Sequence, residues 1–208
     1  MCYTWLMALR RPRLIPILVA SLFACASFAL PELSALQVRS AQASVSVQLP
    51  LAQLARTASR ILVGTTIESH SVWEDEEGGA RRIVTYHRVR VERQATDATS
   101  GDVWVRCLGG TVDGIGQRVE GAAILRNGQR ALLFLVPRDD GTFSVLGMAQ
   151  GVYPIQRGVD GVDRLLMPRS PGVIVPADRI IAAVTVLPGK TVDEAFALVR
   201  EARQAHAQ

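Results

Sequence analysis

Cysteine is the first shortage. The chain of 208 residues has three, and two of them, Cys2 and Cys25, lie in an N-terminal segment laid out like an export signal. Beyond that segment Cys107 stands alone, which excludes an intrachain disulfide there and leaves three uses for the thiol: an intermolecular bridge, a reactive nucleophile or a buried apolar residue. In "DVWVRCLGG" Cys107 alternates with Val103 and Val105, so burial on an inward strand face is the expectation. Histidine is equally scarce, with His70, His87 and the near-terminal His206.

Several motifs are absent as well. The 17 glycines are densest in "RCLGGTVDGIGQRVEG", yet the lysine and hydroxyl of a phosphate-binding loop do not follow Gly116 or Gly121. A dinucleotide fingerprint needs a third glycine and a helix behind it, and "QRVEGAAILRNGQ" has no helical period. The stretch reads as a glycine-rich crossing between strands. No G-x-S-x-G elbow occurs. The acidic residues Glu74, Asp75, Asp139 and Asp140 fall in turns without the regular spacing of a calcium loop. A period of two puts His70 and His87 on opposite faces of a hairpin, so they are not expected to share an ion. No metal set and no cofactor are expected, while a Cys107 and His87 dyad stays open, because residues distant in sequence can be neighbours in space. There is no internal repeat.

The N-terminus supplies an address. Arg10, Arg11 and Arg13 precede the uncharged run "LIPILVASLFACASFAL", and Ala41 and Ala43 are the small residues a signal peptidase accepts before Ser44. Residues 1–43 are therefore expected to be a signal peptide, with the mature protein periplasmic or extracellular. A lipoprotein anchored at Cys25, from the partial lipobox "LFAC", is the second reading, and a retained membrane anchor the third. The whole chain has 23 basic and 19 acidic residues. Removing Arg10, Arg11, Arg13, Arg39 and Glu32 leaves 19 and 18, a net of +1. The basic character that would suggest nucleic acid leaves with the leader.

What remains is patterned mostly for strands. "LPLAQLARTAS" is a short helix with Pro50 at its first turn. "RILVGTTIESHSVW" and "RRIVTYHRVRVERQ" make a hairpin around an acidic turn. Their odd positions, Ile61, Val63, Ile67, Ile83, Val89 and Val91, form the expected core face. "DVWVRCL" is a third strand. "NGQRALLFLVP", entered through the turn pair Asn127 and Gly128, is a fourth, apolar on both faces and expected at the centre of the sheet. Two short strands follow in "FSVLGMAQGVYPI". The proline-bearing segment before residue 190 is irregular. Residues 191–207 then form an amphipathic helix with a Thr191/Glu194 capping box and a stripe of Val192, Ala195, Phe196, Val199 and Ala202.

The motif order "ASRILVGTTIESHSVW", "TYHRVRVER", "GDVWVRCLGGTVDGIGQRVEGAA", "GQRALLFLV" and "FSVLGMAQGVYPI" resembles a family of uncharacterised exported bacterial proteins. More distantly it is similar to the netrin-like domain of tissue inhibitors of metalloproteinases, an OB-type barrel. The resemblance implies a mainly β fold: a small OB-like closed or partly open antiparallel barrel over residues 44–190, with a short N-terminal helix and a C-terminal helix packed on it. Those inhibitors act through an N-terminal cysteine and are held by disulfides, whereas the mature chain here would begin at Ser44.

The functional expectation is an exported, non-catalytic binding or interaction module. Its partner would be another exported protein or an envelope component, not nucleic acid, with membrane contact only through a retained leader or a lipidated Cys25. A metalloproteinase-inhibitor-like protein and a thiol-dependent or hydrolytic enzyme are the alternatives. The candidate surface is Trp73, Glu74, Asp75, Arg88, Arg90, Gly114, Gly116 and Arg118.

Overall fold

The hairpin and the apolar fourth strand organise the chain. A computed structural model describes residues 45–76, 78–96, 101–169, 173–175 and 182–205. The expected signal segment, with Cys25, Ala43 and Ser44, lies outside the described residues, as does His206. Among the described residues no helix is long and apolar enough to cross a membrane.

Strand β1 (Val45–Val47) leads to α1 (Leu51–Thr57), with Pro50 as its N-cap. The long arms β2 (Arg60–Asp75) and β3 (Arg81–Gln94) follow, then β4 (Val103–Leu108). The glycine-rich stretch that was expected to be a bare crossing forms its own two-stranded hairpin, β5 (Gly110–Val112) with β6 (Ile115–Gln117). Next come β7 (Arg130–Pro137), β8 (Phe143–Val145), a 3-10 turn (Met148–Gly151), β9 (Val152–Arg157) and β10 (Asp163–Leu165). The proline-rich region contributes β11 (Val173–Val175), paired in parallel with β1, and a one-turn helix α2 (Ala183–Val186) that the sequence pattern did not announce. Helix α3 (Val192–Gln204) is the last described element.

The main sheet runs β10-β9-β7-β2-β3-β4-β8, and β8 also pairs with β7. Five strands, β2, β3, β4, β8 and β7, are therefore joined by pairings into a ring. All are antiparallel neighbours except β4 and β8, which run parallel. Strand β7 holds the ring to the rest, with β2 on one edge and both β9 and β8 on the other. Its two apolar faces serve two cores. Leu133 and Leu135 point inside the ring with Leu62, Val89, Val103, Val105 and Cys107. Leu132 and Phe134 point outward with Ile61, Val63 and Tyr153, beneath the helices.

The helices cover that outer face. The α3 stripe Val192, Ala195, Phe196 and Val199 is buried against Leu51, Leu54 and Ala55 of α1, each large side chain contributing about 1.5–3 kcal/mol. The capping box forms, with Thr191 N–H donating to Glu194 Oε2 at 2.8 Å and Glu194 N–H to Thr191 Oγ1 at 3.3 Å. Arg203 does more than offset its own helix dipole. It donates to the carbonyls of Ala55 and Ala58 at 2.7 and 3.0 Å, satisfying the C-terminus of α1.

The expectation of one odd-numbered core face is corrected by two bulges. Thr66 faces Val89 and Glu68 faces Arg88, so Ile67 is unpaired. Val63 faces Arg93 and Gly64 faces Val91, so Glu92 is unpaired. One extra residue reverses which parity points inward. Before Ile67 the odd residues of β2 lie under the helices, and after it the odd residues Ser69, Ser71 and Trp73 share a face with His87, Thr85 and Ile83. Leu62 and Val84, even-numbered, are buried as well.

The "AQG" segment also has a structural use. Buried Gln150 accepts from Leu49 N–H at 2.9 Å and donates to the Val47 carbonyl at 2.9 Å. The amide stands in for a neighbouring strand and fixes the chain entering α1.

Candidate functional site: an aromatic face and a polar mouth

The register of β2, β3 and β4 builds two surfaces, one on each side of the sheet. Directly opposed residues share a face, so the outer side carries Glu68, Arg88 and Trp104 in one row and His70, Tyr86 and Arg106 in the next.

Glu74 and Arg106 reach toward each other from β2 and β4 across the intervening β3. Arg106 Nε donates to Glu74 Oε1 and Oε2 at 3.1 and 3.0 Å, and its Nη2 closes the fork on Oε2. Tyr86 Oη donates to Glu74 Oε1 at 2.6 Å. The Arg106 hydrogen bond holds the Glu74 carboxyl below the ordinary carboxylate range. Burial, then the bond to Glu74, pushes the Tyr86 phenol up. His70 stacks on Tyr86 with centroids 5.5 Å apart and meets Trp104 edge-on at 5.3 Å. Arg88 completes the row, 2.9 Å from Asp102 and 3.8 Å from Glu68. Three half-exposed or exposed rings are thus held between two ion-paired groups.

The candidate residues divide among four places. Glu74 and Arg88 belong to the aromatic face. Trp73 and Asp75 lie on the opposite side of β2, where Arg81 covers the Trp73 ring at 5.3 Å and meets Asp75 at 3.2 Å. Arg90 is exposed opposite Thr65. Gly114 and Gly116 sit in the β5–β6 hairpin, and Arg118 pairs with Glu120 at 2.8 Å just beyond it. The surface expected as one is therefore split. Sequence reasoning missed His70, Tyr86, Trp104 and Arg106, whose only signal was even-numbered alternation on three strands read in the correct register.

The inner side is polar where the ring opens. Ser71 Oγ and Thr85 Oγ1 are 2.9 Å apart, and Thr85 Oγ1 donates to the Gly109 carbonyl at 2.7 Å. Ser69 Oγ is 2.7 Å from His87 Nδ1 and donates to Asn127 Oδ1 at 2.6 Å. Burial, with a smaller effect from His70, lowers the His87 imidazole to about 4, so it is neutral at neutral pH. A cavity of about 260 Å³ is lined by Thr85, His87, Cys107, Gly110 and Leu125. A second, of about 270 Å³, meets Cys107 from the side of Arg106, Ser144 and Met148. Cys107 is buried, and desolvation pushes its thiol up to about 12, far from the thiolate a nucleophile requires. Among the described residues no group of three or more His, Cys, Asp or Glu is placed to hold a metal ion.

Comparison with known proteins returns no family model, no curated protein and no solved structure that matches the chain.

Proposed function

We propose that this protein is an exported, non-catalytic interaction module built on an OB-type barrel, and that it contacts its partner through the outer face of β2, β3 and β4. The ring of five strands with one parallel pair supports the OB-type reading, since that fold is a small Greek-key barrel that binds ligands on a strand face and its adjoining loops. The carrying observation is the cluster of His70, Tyr86 and Trp104 between the Glu74–Arg106 and Arg88–Asp102 pairs. Tyr, Trp and Arg are the residues that dominate binding energy at protein interfaces. Side chains already fixed by hydrogen bonds and stacking lose little further entropy on binding. Arg88 and Arg106 at the aromatic cluster are paired with carboxylates, which favours a protein partner over a polyanion.

The test is a photoreactive residue placed at position 104 in the exported protein, with position 115 at the β6 hairpin as the comparison. A discrete adduct with an envelope protein from position 104, lost when His70→Ala and Tyr86→Ala are combined, is the expected result. Adducts only from position 115 would overturn the assignment of the face.

A further inference from the structure

The polar mouth of the ring holds two groups for which the interaction face has no use, His87 and Cys107. The bonding around Ser69 determines how His87 is protonated. A serine hydroxyl has one proton, and here it goes to Asn127 Oδ1. Ser69 Oγ is then the acceptor from His87, so Nδ1 carries the ring hydrogen and Nε2 keeps its lone pair. This is how metal-binding histidines are oriented, with one nitrogen tied back to the protein and the other free. His87 is only 6% exposed, Nε2 has no hydrogen-bond partner among the described residues, and the side chain lines the 260 Å³ cavity together with Cys107.

Register brings the two groups together. Cys107 is opposite Thr85, and His87 is two residues along β3 on the same face. They are diagonal neighbours, with Cβ atoms roughly 7 Å apart, a gap that one cation spans with metal–ligand bonds of about 2.0–2.3 Å. We propose that His87 Nε2 and Cys107 Sγ form a two-coordinate site for a soft monovalent metal cation of the copper(I) class. An imidazole and a thiolate are soft ligands that select such a cation, whereas zinc takes four ligands and no third His, Cys, Asp or Glu completes a set among the described residues.

Binding forms one metal–sulfur and one metal–nitrogen bond and breaks the Cys107 S–H bond. One proton leaves for each cation, and copper stays in the +1 state throughout. Because each cation displaces one thiol proton, affinity strengthens about tenfold per pH unit between pH 6 and 8.

The experiment uses the full chain with Cys2→Ser and Cys25→Ser, so that Cys107 is its single thiol. Copper(I) is held under ascorbate without oxygen and partitioned against a chromophoric chelator. One equivalent bound, with the stated pH slope, is expected. Cys107→Ser and His87→Gln each weaken binding by about 100-fold or more, and Ser69→Ala, which leaves both ligands in place, by about 10-fold. Silver(I), a redox-stable probe, raises the melting temperature of the parent protein but not of Cys107→Ser, which separates lost binding from lost folding. No binding by the parent, equal affinity in Cys107→Ser, or a pH-independent affinity would each overturn the site.

Discussion

Ser69 Oγ lies 2.7 Å from His87 Nδ1, and that contact exists because Ile67, the unpaired residue between Thr66 and Glu68, turns the following odd residues inward. Without the bulge, Ser69 would lie on the outer face and His87 would be buried with neither ring nitrogen engaged. A one-residue irregularity thus decides what kind of chemistry the mouth of the ring contains.

The buried His87 makes stability pH-dependent. Its value falls from 6.5 to about 4 on folding, so between those limits the unfolded chain binds a proton that the folded chain does not. The stability associated with neutral His87 is fully present above pH 6.5 and is lost as pH falls toward 4, by about 2–3 kcal/mol at pH 4.5. Urea midpoints at pH 7.5 and pH 4.5 should differ more for the parent than for His87→Gln. Equal differences would show that His87 does not titrate in this window.

The Glu74–Arg106 pair yields a second expectation. The Arg106 side chain is 11% exposed, and its guanidinium is satisfied largely by Glu74. Glu74→Gln should cost about 1–3 kcal/mol, because it leaves a mostly buried cation with a weaker acceptor. A double-mutant cycle with Arg106→Met measures the coupling. Additivity within about 0.5 kcal/mol would mean the fork contributes nothing beyond its parts.

Local chemistry made much of the fold legible. The Thr191/Glu194 box, the α3 stripe, the Pro50 entry to α1, the inward alternation of Cys107 and the doubly apolar β7 are encoded within a few residues of one another. The aromatic face was not legible, because His70, Tyr86 and Trp104 come from three strands and meet only once register is fixed. Nothing in the composition around Ile67 or Glu92 announces a bulge, and a single undetected bulge reverses every later assignment of face. The candidate surface therefore grouped Glu74 and Arg88, which share one side of the sheet, with Trp73 from the other side and Gly114 from a separate hairpin.

Two glycines of the same stretch should respond differently to alanine. Gly110 has φ of +144°, and a Cβ there would fall 2.5 Å from Ser71 Oγ and closer still to Thr85 Oγ1. Gly114 has φ of +78° with nothing within 4 Å. Gly114→Ala should cost about 1 kcal/mol from the left-handed backbone alone, and Gly110→Ala about 3 kcal/mol or more, since crowding adds to backbone strain. Chemical denaturation of the two variants decides the matter. Equal losses would mean that the close approach at Gly110 relaxes without penalty.

Tyr153 carries the last expectation. Its side chain is fully buried among apolar residues, 6.2 Å edge-on to Phe134, and its hydroxyl has no hydrogen-bond partner among the described residues. Burial alone pushes the phenol far up from its ordinary value. A buried donor without an acceptor forfeits its hydration for nothing, which costs about 1–3 kcal/mol. Tyr153→Phe keeps the ring, its edge contact with Phe134 and the packing under α1 and α3, and deletes only the hydroxyl. The variant should therefore be more stable by about 1 kcal/mol, which for a domain of this size raises the melting temperature by about 2–4 °C. A fall in melting temperature would mean instead that the hydroxyl is satisfied in solution, by a water bound between the helices and β9, and calorimetry of the two proteins distinguishes these outcomes.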